Sequence, residues 1–318
     1  MSAITHRSID SNGISMHIAE QGVGPLIVLL HGFPECWYSW RHQLSALADA
    51  GYRAVAPDQR GFGETDRPEN AQSYTVMHTV GDLIGLIDAL DAQRAVVVGH
   101  DFGSRPAWGA ALMRPDRIRG VIGLSVPYVP RGPRPPIAGL RARLGERFYQ
   151  VYFQEPGPAE REFERDIRTT IRRLLYGLSG DAPEVPTPIV PDGGELLDIF
   201  PEPDVLPAWL SREDIDVYTR EFERTGFVSA LNWARNFDRN WELMAPWAGA
   251  KVKVPAMYMA GELDHVVRFP GMMDVITNLK AFVPNLIRTI MLTGCGHWTQ
   301  QERTDEVNAA IIGFLEDL

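Results

Sequence analysis

A chain of 318 residues can hold one large α/β domain or a core with one insertion, and its hydrophobic fraction of 45% is ordinary for a globular protein. The formal charge of −10 is spread along the chain, which argues against nucleic acid or an anionic membrane as a partner. The two cysteines, Cys36 and Cys295, can form neither a disulfide framework nor a metal site by their spacing. No apolar run approaches the length of about eighteen residues that predicts a membrane span.

The N-terminal segment MSAITHRSIDSNGIS contains no apolar core, so it predicts neither a signal peptide nor a transit peptide. Together with the sparse cysteines, this favours a cytoplasmic location. We expect no metal and no cofactor, and either a monomer or a homodimer.

Apolar, β-branched runs alternate with helix-like segments along the chain, a pattern typical of a mostly parallel sheet flanked by helices. In chain order, the predicted strands cover residues 14–19, 26–30, 53–56, 95–98, 120–125, 256–260 and 288–292. The predicted helices cover residues 40–50, 76–90, 104–113 and 306–315.

The strand pattern stops after VIGLSVP and resumes only at KVKVPAMYMAG. The residues between are rich in Arg, Glu, Pro and aromatic side chains, with helix-like pieces such as AEREFERDIRTTIRRLLYGL and SREDIDVYTREFERTGF. We therefore predict a helical cap over residues 130–244, inserted into a core formed by residues 1–129 and 245–318. An irregular, Pro- and Gly-containing stretch at 179–207 belongs to this cap.

The segment VVVGHDFGS indicates a buried strand that enters a glycine-flanked turn centred on Asp101. Many hydrolases hold a serine at such a strand-to-helix turn, because the turn exposes the nucleophile at the top of the sheet. A carboxylate is ionised at neutral pH without a base, since its usual pKa is about 4. Its attack on a saturated carbon gives an alkyl ester, so Asp101 predicts covalent catalysis on an sp³ electrophile.

Two more polar residues follow predicted strands, in the chain order nucleophile, acid and base that α/β-hydrolases use. Asp264 is the predicted acid and His297 the predicted base. Oriented by Asp264, His297 would deprotonate a water that attacks the ester. In this arrangement the main-chain N–H groups of Phe33 and Phe102 are the predicted oxyanion donors.

The chain closely resembles the soluble epoxide hydrolases of the α/β-hydrolase fold. The resemblance is carried by the segments HGFPECWYSWRHQ, APDQRGFGETDRP, VGHDFG, VYFQEPG, LNWARNFDRNW and CGHWTQ, which span nearly the whole chain. It implies a small-molecule epoxide as substrate and a vicinal diol as product. It also implies that two cap tyrosines protonate the epoxide oxygen, and it assigns them to Tyr152 and Tyr218. Tyr149 and Tyr176 are the tyrosines left without a role.

The resemblance also suggests roles for residues around the triad. Glu35 and His100 match positions that help to place the hydrolytic water in plant-like members, although His100 could instead fix the turn. The predicted pocket lining comprises Phe33, Trp37, Phe102 and Trp298.

Two alternatives stay open at this point. A haloalkane or haloacid dehalogenase would use the same Asp-His-Asp triad, but haloalkane dehalogenases hold Asn or Glu in place of Phe33 and Trp in place of Phe102. Arginine at the position of Arg105 occurs in fluoroacetate dehalogenase-like relatives, and here it could also be a surface charge or a salt bridge to the cap. A ligand-binding relative without activity would have no need of His297.

Overall fold

The computed structural model describes residues 3–318, and the strands in this range form a single eight-stranded sheet. In chain order the strands are β1 (Thr5–Ser11), β2 (Ile14–Gln21), β3 (Leu26–Leu30), β4 (Arg53–Pro57), β5 (Ala95–His100), β6 (Ile118–Leu124), β7 (Ala256–Gly261) and β8 (Leu286–Leu292). Their order across the sheet is β1-β2-β4-β3-β5-β6-β7-β8. The β1-β2 and β2-β4 pairs are antiparallel, and every other pair is parallel.

The helices lie between and after these strands. They are α1 (Arg41–Asp49), α2 (Val76–Ala89), α3 (Ser104–Met113), α4 (Pro136–Leu144), α5 (Tyr149–Tyr152), α6 (Pro158–Glu164), α7 (Ile167–Gly177), α8 (Arg212–Thr225), α9 (Val228–Arg235), α10 (Phe237–Leu243), α11 (Met272–Thr277), α12 (Thr299–Glu302) and α13 (Thr304–Glu316). Among the helices within residues 3–318, none combines the length and the apolar character that crossing a membrane requires.

Helices cover both faces of the sheet, as the uninterrupted apolar runs predict. All residues of β3 are buried, and successive side chains of a strand point to opposite faces. Val28 packs with α2 and α3 on one face. Ile27 packs with α1 and α13 on the other. The predicted α/β-hydrolase fold is therefore confirmed, and the buried strands set the rigid frame of the site.

The strand β1 was not expected from the sequence. Its segment THRSIDS has no apolar alternation, and only Ile9 and Ser11 are buried. It pairs with β2 through a tight turn at Asn12 and Gly13, whose φ angles of 50° and 77° lie in the left-handed region. An Asn-Gly pair is a strong hairpin signal, and it is the sequence feature that could have found β1.

The segment between β6 and β7 carries helices α4 to α10 over the carboxyl ends of the central strands. Its core is aromatic and continues into the loops of the sheet, since Phe33 lies 6.0 Å from Phe227 and 6.1 Å from Phe222 between ring centroids. The Trp233 indole N–H also donates to the Arg60 carbonyl at 3.0 Å. The cap therefore packs directly on the loops that hold Phe33 and Arg60. The division of the chain at residues 130 and 244 stays a prediction.

The turn after β5 is compressed. Asp101 has a φ of 48°, in the left-handed region. A Cβ on Gly99 would lie 2.3 Å from the Gly103 carbonyl oxygen, and a Cβ on Gly103 would lie 2.2 Å from the Leu30 carbonyl oxygen. Only glycine therefore fits on either side of Asp101 without a shift of the backbone.

Replacing Gly103 with alanine should destabilise the protein, because the added methyl group overlaps the backbone of β3. We expect a loss of about 1–3 kcal/mol in the free energy of unfolding, measured by urea denaturation. Gly139→Ala is the matched control, since Gly139 lies exposed in α4 and a Cβ there meets nothing within 4 Å. That variant should gain about 0.5–1 kcal/mol from helix propensity. Equal effects of the two substitutions would contradict this account of the turn.

Candidate active site

The three predicted triad residues meet at the carboxyl edge of the sheet. Asp101 follows β5, Asp264 follows β7 and His297 follows β8, and parallel strands end at the same edge. The Nδ1 of His297 lies 3.0 Å from Asp264 Oδ1, and its Nε2 lies 3.7 Å from Asp101 Oδ2. His297 therefore donates to Asp264 through one nitrogen and turns the other toward Asp101.

Electrostatics favour a charged His297 in this resting arrangement. Burial alone would lower the pKa of His297, but the Asp264 carboxylate and then Asp101 outweigh it and raise that pKa to about 9. Burial would raise the pKa of Asp264, yet the two neighbouring histidines, His297 first, hold it well below its usual value. The pair is thus an imidazolium and a carboxylate, with the second carboxylate of Asp101 nearby.

One of the two predicted oxyanion donors contacts the nucleophile. The Phe33 N–H donates to Asp101 Oδ1 at 3.0 Å. The approach depends on Gly32, where a Cβ would lie 2.5 Å from the Asp101 Cβ. The Phe33 amide therefore contacts Oδ1, while Oδ2 faces His297. A role for the Phe102 amide stays a prediction.

Glu35 and His100 form a buried network behind His297. Glu35 Oε2 accepts from the Gly32 N–H at 3.0 Å and lies 2.7 Å from His100 Nδ1. The His100 Nε2 lies 2.8 Å from the His297 carbonyl oxygen. Burial acts to raise the pKa of Glu35, but the charge of His100 and then the hydrogen bonds from His100 and Gly32 outweigh it and keep that pKa below its usual value. The network fixes the loop that carries His297, and a role in placing water stays a prediction.

The structure corrects the assignment of Tyr152. Its hydroxyl donates to Glu162 Oε2 at 2.9 Å, within the cap. Burial and then the Glu162 carboxylate raise its pKa. The charges that act on it are those of cap residues, not of the triad. The hydroxyl proton of Tyr152 is therefore engaged by Glu162, and the charged neighbours of Tyr152 belong to the cap and not to the predicted triad.

Tyr149, which the sequence left without a role, faces the triad instead. Burial raises its pKa, and the next largest cause is the charge of Asp101. Its hydroxyl oxygen accepts from the Gln150 side-chain amide at 2.8 Å. Within residues 3–318 that hydroxyl donates to no acceptor, so its own proton is available. The Tyr-Gln pair in FYQVYFQEPG, ahead of the quoted motif, was the signal that could have found it.

Tyr218 is fully buried, and its hydroxyl donates to Gln301 Oε1 at 3.1 Å. Burial raises its pKa strongly, and the Arg41, Glu35 and Cys36 charges act on it less. In this arrangement the hydroxyl proton of Tyr218 is engaged in the hydrogen bond to Gln301. A role for Tyr218 as proton donor needs that hydrogen bond to break, and it stays a prediction.

The two tryptophans among the predicted pocket residues pack against histidine rings. Trp37 packs edge-on against His6 of β1, with ring centroids 4.6 Å apart. Trp298 is fully buried, its indole N–H donates to the Leu175 carbonyl at 2.7 Å, and its ring packs on His297 at 4.6 Å. Trp298 does not fit a lining role because its neighbours cover it, whereas Trp37 is half-buried and its lining role stays a prediction.

Phe33 and Phe102 do lie beside the nucleophile. Their ring centroids are 6.1 Å apart, and Phe33 is only half-buried. Phe102 also stacks parallel to Trp233 of the cap, at 6.2 Å between centroids. An aromatic wall therefore joins the Asp101 turn to the cap.

Two further residues contact the acid and base and were missed by the sequence. Ser125 Oγ lies 3.1 Å from His297 Nδ1, and its φ of 67° places it in the left-handed region. His265 Nδ1 lies 3.3 Å from Asp264 Oδ1. Asp264, His265 and His297 bring three potential metal-ligand atoms within 4.8 Å of one another. Both rings already share one carboxylate oxygen, and the expected absence of a metal stays a prediction.

Comparison with known proteins gives a consistent result. Residues 25–170 match the family model of the alpha/beta hydrolase fold. The chain is 45% identical to Epoxide hydrolase A of Mycobacterium tuberculosis, over 100% of this chain and 99% of that protein. It is also 45% identical to Epoxide hydrolase 3 of Siraitia grosvenorii, over 99% of each.

Solved structures agree with these relatives. An epoxide hydrolase from Vigna radiata superposes with a TM-score of 0.94 at 42% identity, covering 99% of this chain and 98% of that one. An epoxide hydrolase from an endophytic Streptomyces gives a TM-score of 0.94 at 46% identity, covering 99% and 96%. With this likeness over the whole length, the chain belongs to the epoxide hydrolase family of the α/β-hydrolase fold.

Proposed function

We propose that this enzyme opens an epoxide to a vicinal diol through a covalent ester on Asp101. The observation that carries the proposal is that the two oxygens of this carboxylate have different contacts. Oδ1 accepts from the Phe33 N–H, and Oδ2 faces His297 at 3.7 Å. A nucleophile held in this way needs no base for its first attack, so His297 is free for the second step.

In the first step, Asp101 Oδ2 attacks one carbon of the oxirane. The new C–O bond to Asp101 forms as the ring C–O bond breaks, and the electron pair goes to the oxirane oxygen. That oxygen takes the proton of a tyrosine, which we assign to Tyr149 because its proton has no other acceptor and its oxygen is fixed by Gln150. Such general acid help contributes roughly 10²–10⁴ in rate.

In the second step, a water attacks the carbonyl carbon of the Asp101 ester while His297 takes its proton. Negative charge develops on Oδ1, which already lies at the Phe33 N–H. A donor placed in this way lowers the barrier by about 3–4 kcal/mol. The tetrahedral intermediate then collapses as the bond between the Asp101 carboxyl carbon and Oδ2 breaks, and Oδ2 leaves with the substrate and takes the proton held by His297. This releases the diol and restores the carboxylate. Tyr149 regains its proton from solvent.

Ester formation also prepares His297 for its role as base. The free Asp101 charge is one of the causes that raise the His297 pKa to about 9. Once Asp101 is esterified that charge is gone, so the pKa of His297 falls and its Nε2 can release its proton to solvent. Alkylation therefore converts the imidazolium of the resting enzyme into a competent base.

The dehalogenase alternative uses the same triad, but the two aromatic side chains beside Asp101 offer no polar group that would bind a leaving halide. Phe33 and Phe102 place hydrocarbon rings beside Asp101, where the resemblance to haloalkane dehalogenases would require a polar side chain and an indole. Tyr149 instead supplies an acid, which an alkoxide needs and a halide does not.

Removal of the base should trap the ester. His297→Gln, mixed with styrene oxide, should gain the mass of one substrate molecule on the intact protein, and peptide mapping should locate the adduct on Asp101. His42→Gln is the matched control, because His42 is an exposed histidine of α1 and its variant keeps the base. An unmodified His297→Gln protein that still forms diol at the wild-type rate would overturn the proposal.

Single replacements should identify the acid. In the His297→Gln background, Tyr149→Phe should slow adduct formation by roughly 10²-fold or more, because it removes the proton that the alkoxide takes. Tyr152→Phe should change the rate by only about a fewfold, since that hydroxyl serves Glu162. Stopped-flow or quenched mass spectrometry measures both rates. A collapse in Tyr152→Phe with a normal rate in Tyr149→Phe would restore the assignment made from the sequence.

A further inference from the structure

Arg105 is the exception in a buried helix. From Ser104 to Leu112, every residue of α3 is buried except Arg105, which keeps accessible surface. Its guanidinium carbon lies 4.1 Å from the ring centroid of Phe237 on α10. That phenylalanine is only 4% exposed. The Arg105 side chain is therefore exposed, yet it packs against the cap through Phe237.

The guanidinium borders the same interior space as the nucleophile. Burial lowers its pKa, while the charges of Asp101 and Tyr149 are the other groups that act on it. Asp101 keeps 14% of its side-chain surface and Tyr149 is half-buried. Arg105 is exposed although burial acts on its pKa, so we infer that it opens to a space between the core and the cap, which Asp101 and Tyr149 border.

Arg105 has no direct polar partner in this space. Its guanidinium packs on the face of the Phe237 ring. Within residues 3–318, Arg105 forms neither an ion pair nor a hydrogen bond. The guanidinium carries several donors, and leaving such a charge unpaired is unfavourable where burial acts on it. Of the two alternatives weighed for Arg105, the salt bridge to the cap is not formed within residues 3–318, while the side chain is exposed.

Asp101 balances the charge of Arg105 only in the resting enzyme. Once Asp101 is esterified, as the proposed function requires, its charge is gone, and once Tyr149 has regained its proton from solvent neither of these two residues offers Arg105 a negative charge. A neutral substrate would leave Arg105 without one throughout the intermediate. A substrate that carries its own anion would supply the missing partner at the same step.

We propose that Arg105 forms an anion subsite and that the enzyme prefers epoxides bearing a carboxylate close to the oxirane. This inference rests on the proposed function. Arg105 follows Asp101 by four residues, at the start of α3, and the charge of Asp101 acts on its guanidinium. The carboxylate therefore lies within a few bonds of the carbon that Asp101 attacks. A guanidinium binds a carboxylate through two parallel hydrogen bonds, which fixes the orientation of the oxirane.

A pair of substrates that differ in charge alone tests the subsite. We choose 3-phenylglycidate and 3-phenylglycidamide, and we expect wild-type kcat/KM to be at least about tenfold higher for the carboxylate. Arg105→Met should lower the ratio of the two kcat/KM values to about one, which is a loss of at least about tenfold. Arg105→Lys should keep part of the preference, because it retains the charge but not the planar fork. Arg119→Met, at an exposed position of β6, is the control that should leave the ratio unchanged.

Two further compounds separate this inference from the proposed reaction. trans-Cinnamate and cinnamamide have the same shapes but no oxirane, so calorimetry measures the subsite without chemistry. Tighter binding of cinnamate by the wild type, abolished in Arg105→Met, supports the subsite even if no epoxide is hydrolysed. The opposite result would be hydrolysis of styrene oxide and 3-phenylglycidamide without a preference for 3-phenylglycidate or for cinnamate over their amides, and with no effect of Arg105→Met on either ratio. That result would overturn the subsite but would leave epoxide hydrolysis supported.

Discussion

The active site depends on the compressed turn that carries Asp101. The left-handed φ of 48° lifts its side chain out of the sheet, and the turn closes only because Gly99 and Gly103 have no Cβ to collide with neighbouring carbonyls. The same lack of a Cβ at Gly32 lets the Phe33 amide reach the carboxylate. One backbone feature therefore sets the position of the nucleophile and of its oxyanion donor together, before any cap residue is considered.

Charge then organises the chemistry around that turn. In the resting enzyme, the Asp101 and Asp264 carboxylates stabilise the His297 imidazolium, and burial alone would do the opposite. In the proposed mechanism, alkylation of Asp101 removes one of these charges and affects two neighbours. His297 would then act as a base, and Arg105 would lose the charge of Asp101. In this view the substrate's first bond to the enzyme switches the site from nucleophilic attack to hydrolysis.

Much of this could be predicted from the sequence, because the triad and the turn follow strands that periodicity identifies. The choice between Tyr149 and Tyr152 could not, since both lie on one turn of α5 and only the position of Glu162 shows which hydroxyl is engaged. The environment of Arg105 likewise depends on where α10 packs. A cytoplasmic location and a monomeric or dimeric state stay predictions of the sequence.

The covalent ester is the central claim, and the origin of the diol oxygen tests it most directly. With enzyme in excess over styrene oxide in ¹⁸O-labelled water, the first turnover should give a diol whose new oxygen is unlabelled, because it comes from the Asp101 carboxylate. The label should appear instead in Asp101, and in the diol only from later turnovers. A diol labelled in the first turnover would show that water attacks the epoxide directly and would contradict the ester.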